Sequence, residues 1–215
     1  MSRLLRLAFY FLLAENIMIN FMVLAGDVTP VIRAFEEYNI VSDVIPKAPP
    51  CLVKVKYPSG VQVYLGNELT PTQVRDEPSV TWNAEPDNYY VLAMTDPDVS
   101  NLEYPIRREM QHWLVGNIPG SNVSSGETIA EYLGSAPPPS VNRNRYVFLV
   151  YQQPDILVFD EPRISNRSAE NRDWFSIANF AKKYGLGDPI NGNFYLAQYD
   201  DYVPIIHGIL NQNDN

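Results

Sequence analysis

Between Asn88 and Gly120, two apolar, aromatic runs of strand length stand on either side of a polar loop. The first, Asn88 to Met94, gives way to Thr95-Asp96-Pro97-Asp98, an Asp-Pro turn signal. The second, Met110 to Ile118, stops at Pro119-Gly120. Two buried strands therefore flank the loop. Asp96 closes one of them and His112 lies inside the other. A carboxylate and an imidazole at such places need partners, because burying a charge unpaired is costly.

The rest of the chain supplies further strands and a few helices. Thr29-Pro30 opens a short helix, with Thr suited to the N-cap and Pro to the first turn. Val31, Ile32 and Phe35 form its apolar side. Pro46 to Pro50 is a stiff, extended link. Strands are expected at Cys51–Tyr57 and Gly60–Tyr64, joined by Pro58-Ser59-Gly60, and again at Ser79–Trp82. Cys51 reads as a small core residue of its strand. Arg145–Tyr151 is the strongest strand signal and Asn193–Tyr199 the last. Asp173 is expected to cap a helix through Trp174, Ile177, Phe180 and Ala181, whose spacing gives one apolar face. Val203–Leu210 forms a final short helix carrying His207. Early strands, late helices and hairpin-length links predict a mainly β fold: an antiparallel β-sandwich with a few peripheral α-helices. The 18 prolines and 14 tyrosines agree with it.

Composition excludes several function classes. Hydrophobic residues make up 46% of the 215, enough for a real core. The formal net charge of −9 argues against nucleic acid, whose phosphates need a basic face, and against a broad electrostatic hold on anionic membranes. A bound anion must therefore be held by a local pocket. The single cysteine allows no internal disulfide. Arg3 and Arg6 precede an apolar run that ends at Val23-Leu24-Ala25 before Gly26, the outline of a secretory signal peptide over residues 1–25. The mature domain is then 26–215, secreted, with no integral span after processing; a cytoplasmic protein retaining its N-terminus is the alternative. Sequons at Asn122 and Asn166 fit secretion. Nothing calls for an oligomer, and a monomer is expected.

Catalytic signatures are missing. Gly134-Ser135-Ala136 is no nucleophile elbow, and HExxH, CxxC and Walker patterns are absent. Taken alone, Asp96 and His112 fit an acid–base pair, an anion cradle or a structural hydrogen bond. Asp98 reads as a turn cap. Tyr146 offers a hydroxyl or simply core volume.

Five motifs at mutually consistent spacing resemble the phosphatidylethanolamine-binding protein family, which includes the Raf kinase inhibitor protein and plant flowering regulators. They are Thr95-Asp96-Pro97-Asp98; Arg108-Glu109 before His112-Trp113-Leu114-Val115-Gly116-Asn117; Tyr132-Leu133-Gly134-Ser135-Ala136-Pro137-Pro138; Arg145-Tyr146-Val147; and Asp200-Asp201-Tyr202-Val203-Pro204. The pattern is most similar to secreted insect members. The resemblance runs from about Val31 to Leu210. It implies a β-sandwich with a small pocket for phosphate-type anions or phospholipid head groups, no cofactor, and, in some members, inhibition of a kinase or protease. By position it places Asp96, His112, Pro138 and Tyr146 in the pocket. His112, as an imidazolium, would donate to phosphate with Asp96 orienting it.

The lining departs from the family's pattern. Met110 stands for a Trp, Gln111 for a His, Ala136 for a Gly and Asn144 for a His. Val99-Ser100 stands for Ala-Pro, and His207 takes the place of a pocket Tyr. The expected ligand-binding set is therefore Asp96, Met110, His112, Ala136, Pro138, Tyr146 and His207, with no catalytic residue and no metal. Histidine ordinarily titrates near pH ~6.5, so a cavity faced by both histidines would hold anions more tightly in mild acid. A two-histidine, one-carboxylate metal site is the bolder alternative. The expected function is non-catalytic binding of an anionic or amphiphilic small molecule, with a protease or kinase inhibitor as the alternative.

Overall fold

The computed structural model describes residues 29–99, 108–140 and 142–211. The expected leader, residues 1–25, and Ser100 lie outside them. The chain divides after Pro30 into two compact units, and the architecture below is that of the second, Val31–Asn215.

In chain order the elements are α1 (Pro30–Glu37), β1 (Cys51–Leu52), β2 (Lys54–Lys56), β3 (Asn67–Glu68), β4 (Ser79–Thr81), β5 (Tyr89–Asp96), β6 (Met110–Pro119), β7 (Glu127–Ala130), β8 (Asn144–Gln152), α2 (Ile177–Lys183), β9 (Asn191–Ala197) and α3 (Val203–Asn211). The main sheet runs β1-β9-β8-β5-β6-β7, with β3 also pairing to β9. From β9 to β7 every pairing is antiparallel, while β1 and β3 join β9 in parallel. β2 and β4 form a separate antiparallel pair.

Both faces of the main sheet are buried, which is why its central strands read as unbroken apolar runs. Val91 and Ala93 of β5 and Val147, Leu149 and Tyr151 of β8 face one core, closed by Phe35 of α1 and Ile177 and Phe180 of α2. Their strand neighbours Tyr90, Leu92, Met94, Tyr146, Phe148 and Val150 face the other, closed by Val55, Val80 and the loops carrying Leu69 and Val74. Gly192 lets α1 lie this close. A Cβ there would stand 2.5 Å from the Pro49 ring and 2.6 Å from Phe35.

Three expectations change. Gly60–Tyr64 forms no strand beyond a bridge from Gln62 to Lys56. Cys51 is exposed, because β1 lies at the sheet edge and turns that side chain outward. The late helix begins at Ile177, and its N-cap is Ser176, whose Oγ accepts from the Asn179 N–H at 3.3 Å. Asp173 and Trp174 precede it, and Trp174 has φ 62°, outside any helix.

Candidate functional site

At one end of the sheet, the close of β5 meets the starts of β6 and β8; Asp96 pairs with Met110 and Thr95 with Val147. α3, which follows β9, comes to the same end. There a cavity of about 370 Å³ is lined by Asp96, Met110, His112, Ala136, Pro138, Tyr146 and His207, the whole expected set. Asp96, His112 and Tyr146 are buried and form the floor, whereas His207 is exposed at the mouth.

His112 Nδ1 lies 2.9 Å from the Leu133 carbonyl oxygen. A carbonyl only accepts, so Nδ1 carries the proton and the neutral ring keeps a lone pair on Nε2. Nε2 is buried without a hydrogen-bonding partner. Burial pushes the His112 pKa down to about 4, and the nearby Arg172 charge acts the same way, against the pull of the Leu133 carbonyl. His112 is thus neutral at neutral pH, which corrects the expected imidazolium.

Asp96 does not orient it. One Asp96 oxygen accepts from the Asp98 N–H at 2.7 Å and the other from Asn144 Nδ2 at 2.8 Å. Burial, and next the charge of Asp98, raise the Asp96 pKa to about 7. Tyr146 sets its ring edge-on to His112, centroids 5.2 Å apart at 85°. Its hydroxyl is buried with no hydrogen bond of good geometry. Burial and then the charge of Asp96 hold its pKa well above the usual phenol value. Asn144 Oδ1 is a third buried atom of the lining without a partner.

Beneath the floor lies Arg172, fully buried. Its guanidinium donates to the carbonyls of Ser168, Gln111, Glu131 and Ser165 at 2.9–3.0 Å, and more distantly to that of His112. It ties the loop 165–173 to β6 and so fixes the backbone from which His112 projects. Burial lowers its pKa to about 10, which leaves it charged.

The lining also includes Val99, Leu133, Asn144, Ala169, Asp173 and Leu210. Val99 and Asn144 stand among the departures from the family's pattern and Leu133 lies in one of its motifs, while Leu210 is one helical turn from His207. Ala169, Asp173 and the supporting Arg172 come from an irregular loop with no periodicity to read. Among the described residues no three His, Cys, Asp or Glu side chains converge to hold a metal ion. Asn122 and Asn166 lie on exposed loops, and Ser124 Oγ donates to Asn122 Oδ1 at 2.8 Å. Among the described residues no helix is long and apolar enough to cross a membrane.

Comparison with known proteins agrees with this geometry. The family model described as phosphatidylethanolamine-binding protein matches residues 59–195. A Drosophila melanogaster protein named "Putative odorant-binding protein A5" is 36% identical over 80% of this chain and 82% of its own length. The "26 kDa secreted antigen" of Toxocara canis is 39% identical over 76% of this chain and 63% of its own. The CG7054 solution structure is 44% identical with a TM-score of 0.66, covering 80% of this chain and 97% of the other. A carboxypeptidase Y inhibitor, complexed with its cognate proteinase, shares the fold at 23% identity and a TM-score of 0.67, covering 81% of this chain and 97% of the other. With the family model spanning well over half its length and its expected pocket side chains gathered round one cavity, the chain belongs to the phosphatidylethanolamine-binding protein family.

Proposed function

We propose that this protein is a non-catalytic binder of phosphate-type anions, taken as phospholipid head groups or related amphiphilic small molecules. The observation that carries the reading is the floor. His112 Nε2, the Tyr146 hydroxyl and Asn144 Oδ1 are buried around one cavity with no hydrogen bond of good geometry to the protein. Orphaned polar groups of this kind are costly unless something else meets them. A phosphoethanolamine head group meets all three: its phosphate accepts from the Tyr146 hydroxyl, and its ammonium group donates to His112 Nε2 and to Asn144 Oδ1. Val99, Leu133 and Leu210 supply apolar wall for the rest of an amphiphile. The described lining includes no Ser, Thr, Cys or Lys to act as nucleophile.

An extracellular site of action is part of the proposal. It is supported by the signal-peptide outline of residues 1–25, the exposed sequons at Asn122 and Asn166, and a relative named a secreted antigen. Inhibition of a protease stands second. It rests on a shared fold with a carboxypeptidase Y inhibitor.

The test is calorimetry with phosphoethanolamine, alongside native mass spectrometry of the protein purified from culture medium. Saturable binding of one equivalent, weakened about tenfold or more in His112→Ala, is expected. No binding heat, together with a protein that carries no amphiphile from the medium, sinks the reading.

A further inference from the structure

The charge around the cavity is of one sign. Asp96 and Asp173 line it, and no Lys or Arg stands among the described lining residues. His112 is neutral there, its pKa held down by burial. The cations nearby are committed elsewhere. Arg145 and Arg108 pair with Asp98 and Asp43. Arg172, beneath the floor, spends its N–H groups on backbone carbonyls.

The hydrogen bonding is as one-sided as the charge. His112 Nδ1 faces the Leu133 carbonyl, so Nε2 is an acceptor. Asn144 Nδ2 donates to Asp96, which fixes Oδ1 as an acceptor too. His112 and Asn144 are each 1% exposed, and neither of these atoms makes a hydrogen bond of good geometry. The Asp96 carboxylate has lone pairs beyond the two that meet the Asp98 N–H and Asn144. Against these three acceptors the floor sets one donor, the Tyr146 hydroxyl. A bare anion thus meets one donor and an acid. An ammonium group, with three N–H donors and a positive charge, matches the floor in number and in sign. The net charge of −9 draws cations to the molecule as a whole. Val99, Met110, Leu133 and Leu210 give the cavity an apolar wall, and about 370 Å³ is room for a small molecule.

We propose that this cavity takes protonated primary amines with a short apolar tail, and that a phosphate is not required. The ammonium group sits on His112 Nε2 and Asn144 Oδ1 beside the Asp96 carboxylate, and the tail lies along the apolar wall. The inference rests on the head-group reading for the place of the ammonium and widens the ligand class from head groups to simple amines. A phosphate held by Tyr146 comes up against the Asp96 charge; a lone ammonium is only attracted by it.

The test is calorimetry at pH 8 with 1-hexylamine, 1-hexanol, hexyltrimethylammonium, inorganic phosphate and phosphoethanolamine. An alkylamine titrates like a lysine side chain, near ~10.4, and is therefore cationic at this pH. Hexylamine should saturate one site. Hexanol, of the same length without the charge, should bind about tenfold or more weakly. Hexyltrimethylammonium, which keeps the charge and has no N–H, should also lose about tenfold or more. Asp96→Asn should weaken hexylamine about tenfold or more and strengthen inorganic phosphate, opposite signs that a misfolded variant would not give.

Hexylamine binding no tighter than hexanol overturns the proposal, and this comparison needs no variant. Undiminished hexylamine affinity in Asp96→Asn overturns it as well. Phosphoethanolamine that binds while hexylamine does not would sink the amine class and leave the head-group reading standing. Hexylamine that binds while phosphoethanolamine does not would remove the head-group reading and uphold the amine class.

Discussion

Asp98 is fully buried, and its carboxylate is met on every side. Arg145 donates to it from the backbone N–H at 2.9 Å, from Nε at 2.8 Å and from Nη2 at 2.7 Å. The same guanidinium reaches the Tyr38 carbonyl at 2.6 Å and Asp43 at 2.8 Å. Two residues away, Asp96 is buried equally well but has no cation; its partners are an amide side chain and one backbone N–H. Beside it stand His112 and Tyr146, each with a polar atom that makes no hydrogen bond of good geometry. The clasp at Asp98 closes its electrostatics within the protein and locks β5 and β8 to the segment after α1. The floor at Asp96 leaves its hydrogen bonding open. A fold built this way holds the open groups rigid by satisfying the closed ones next door.

The sharpest way to break the comparison is at the clasp. Asp98→Ala leaves Arg145 buried with one acid in place of two. It should cost about 3–5 kcal/mol of unfolding free energy, because the guanidinium loses its forked partner. Urea denaturation measures it, and a double-mutant cycle with Arg145→Met should show strong coupling. A loss below about 1 kcal/mol would mean the clasp is ornamental and the contrast with Asp96 has no energetic content.

Tyr146→Phe tests the floor from the opposite side. Removing a hydroxyl that lacks a good protein partner should leave stability unchanged or raise it by up to about 1 kcal/mol. Phosphoethanolamine affinity should fall about tenfold, since one donor to the anion is gone. A destabilised protein with undiminished affinity would make Tyr146 a second closed group and erase the distinction between the regions.

How far the two regions could be read from the chain differs in the same sense. The central strands were legible because burial on both faces writes an unbroken apolar run, and Asp96, His112 and Tyr146 stood out as polar residues within or ending such runs. Their partners were not legible. Asp98 reads as a turn cap, yet Arg145 claims it from 47 residues away. By sequence Asp96 pairs with His112, yet Asn144 takes it. Both are long-range choices decided by how β8 lies against β5, which local spacing does not encode. Arg172 was hidden for a further reason: its hydrogen bonds run to backbone carbonyls, which every residue has, so no complementary acid marks it. Trp174 fitted a helical apolar face by spacing, and its left-handed backbone and the Ser176 cap, two residues on, exclude it from the helix.

The smallest expected change in affinity concerns the proton on Asp96. Its folded pKa of about 7 lies above the ~3.9 of an unfolded aspartate, so the folded state binds that proton more tightly. The associated stability is fully present below about pH 4 and is lost as pH rises through about 7. Glu109, raised to about 7 by burial, has the same sign. His112, lowered to about 4, has the opposite one, its contribution being lost as pH falls from about 6.5 towards 4. A wild-type pH profile mixes all three, and the difference from Asp96→Asn isolates one. The variant should match wild type near pH 4 and exceed it by at least about 1 kcal/mol at pH 8. Asn144 can turn its amide over to meet the new side chain, since its own Oδ1 has no partner. Affinity should follow the same proton. As pH falls from 8 to 6, Asp96 loses the charge that repels a bound anion, and wild-type affinity for phosphoethanolamine should rise about threefold more than that of the variant. Parallel profiles for the two proteins would show that Asp96 keeps one charge state across this range. The floor would then be as electrostatically closed as the clasp, with Tyr146 alone donating to the anion.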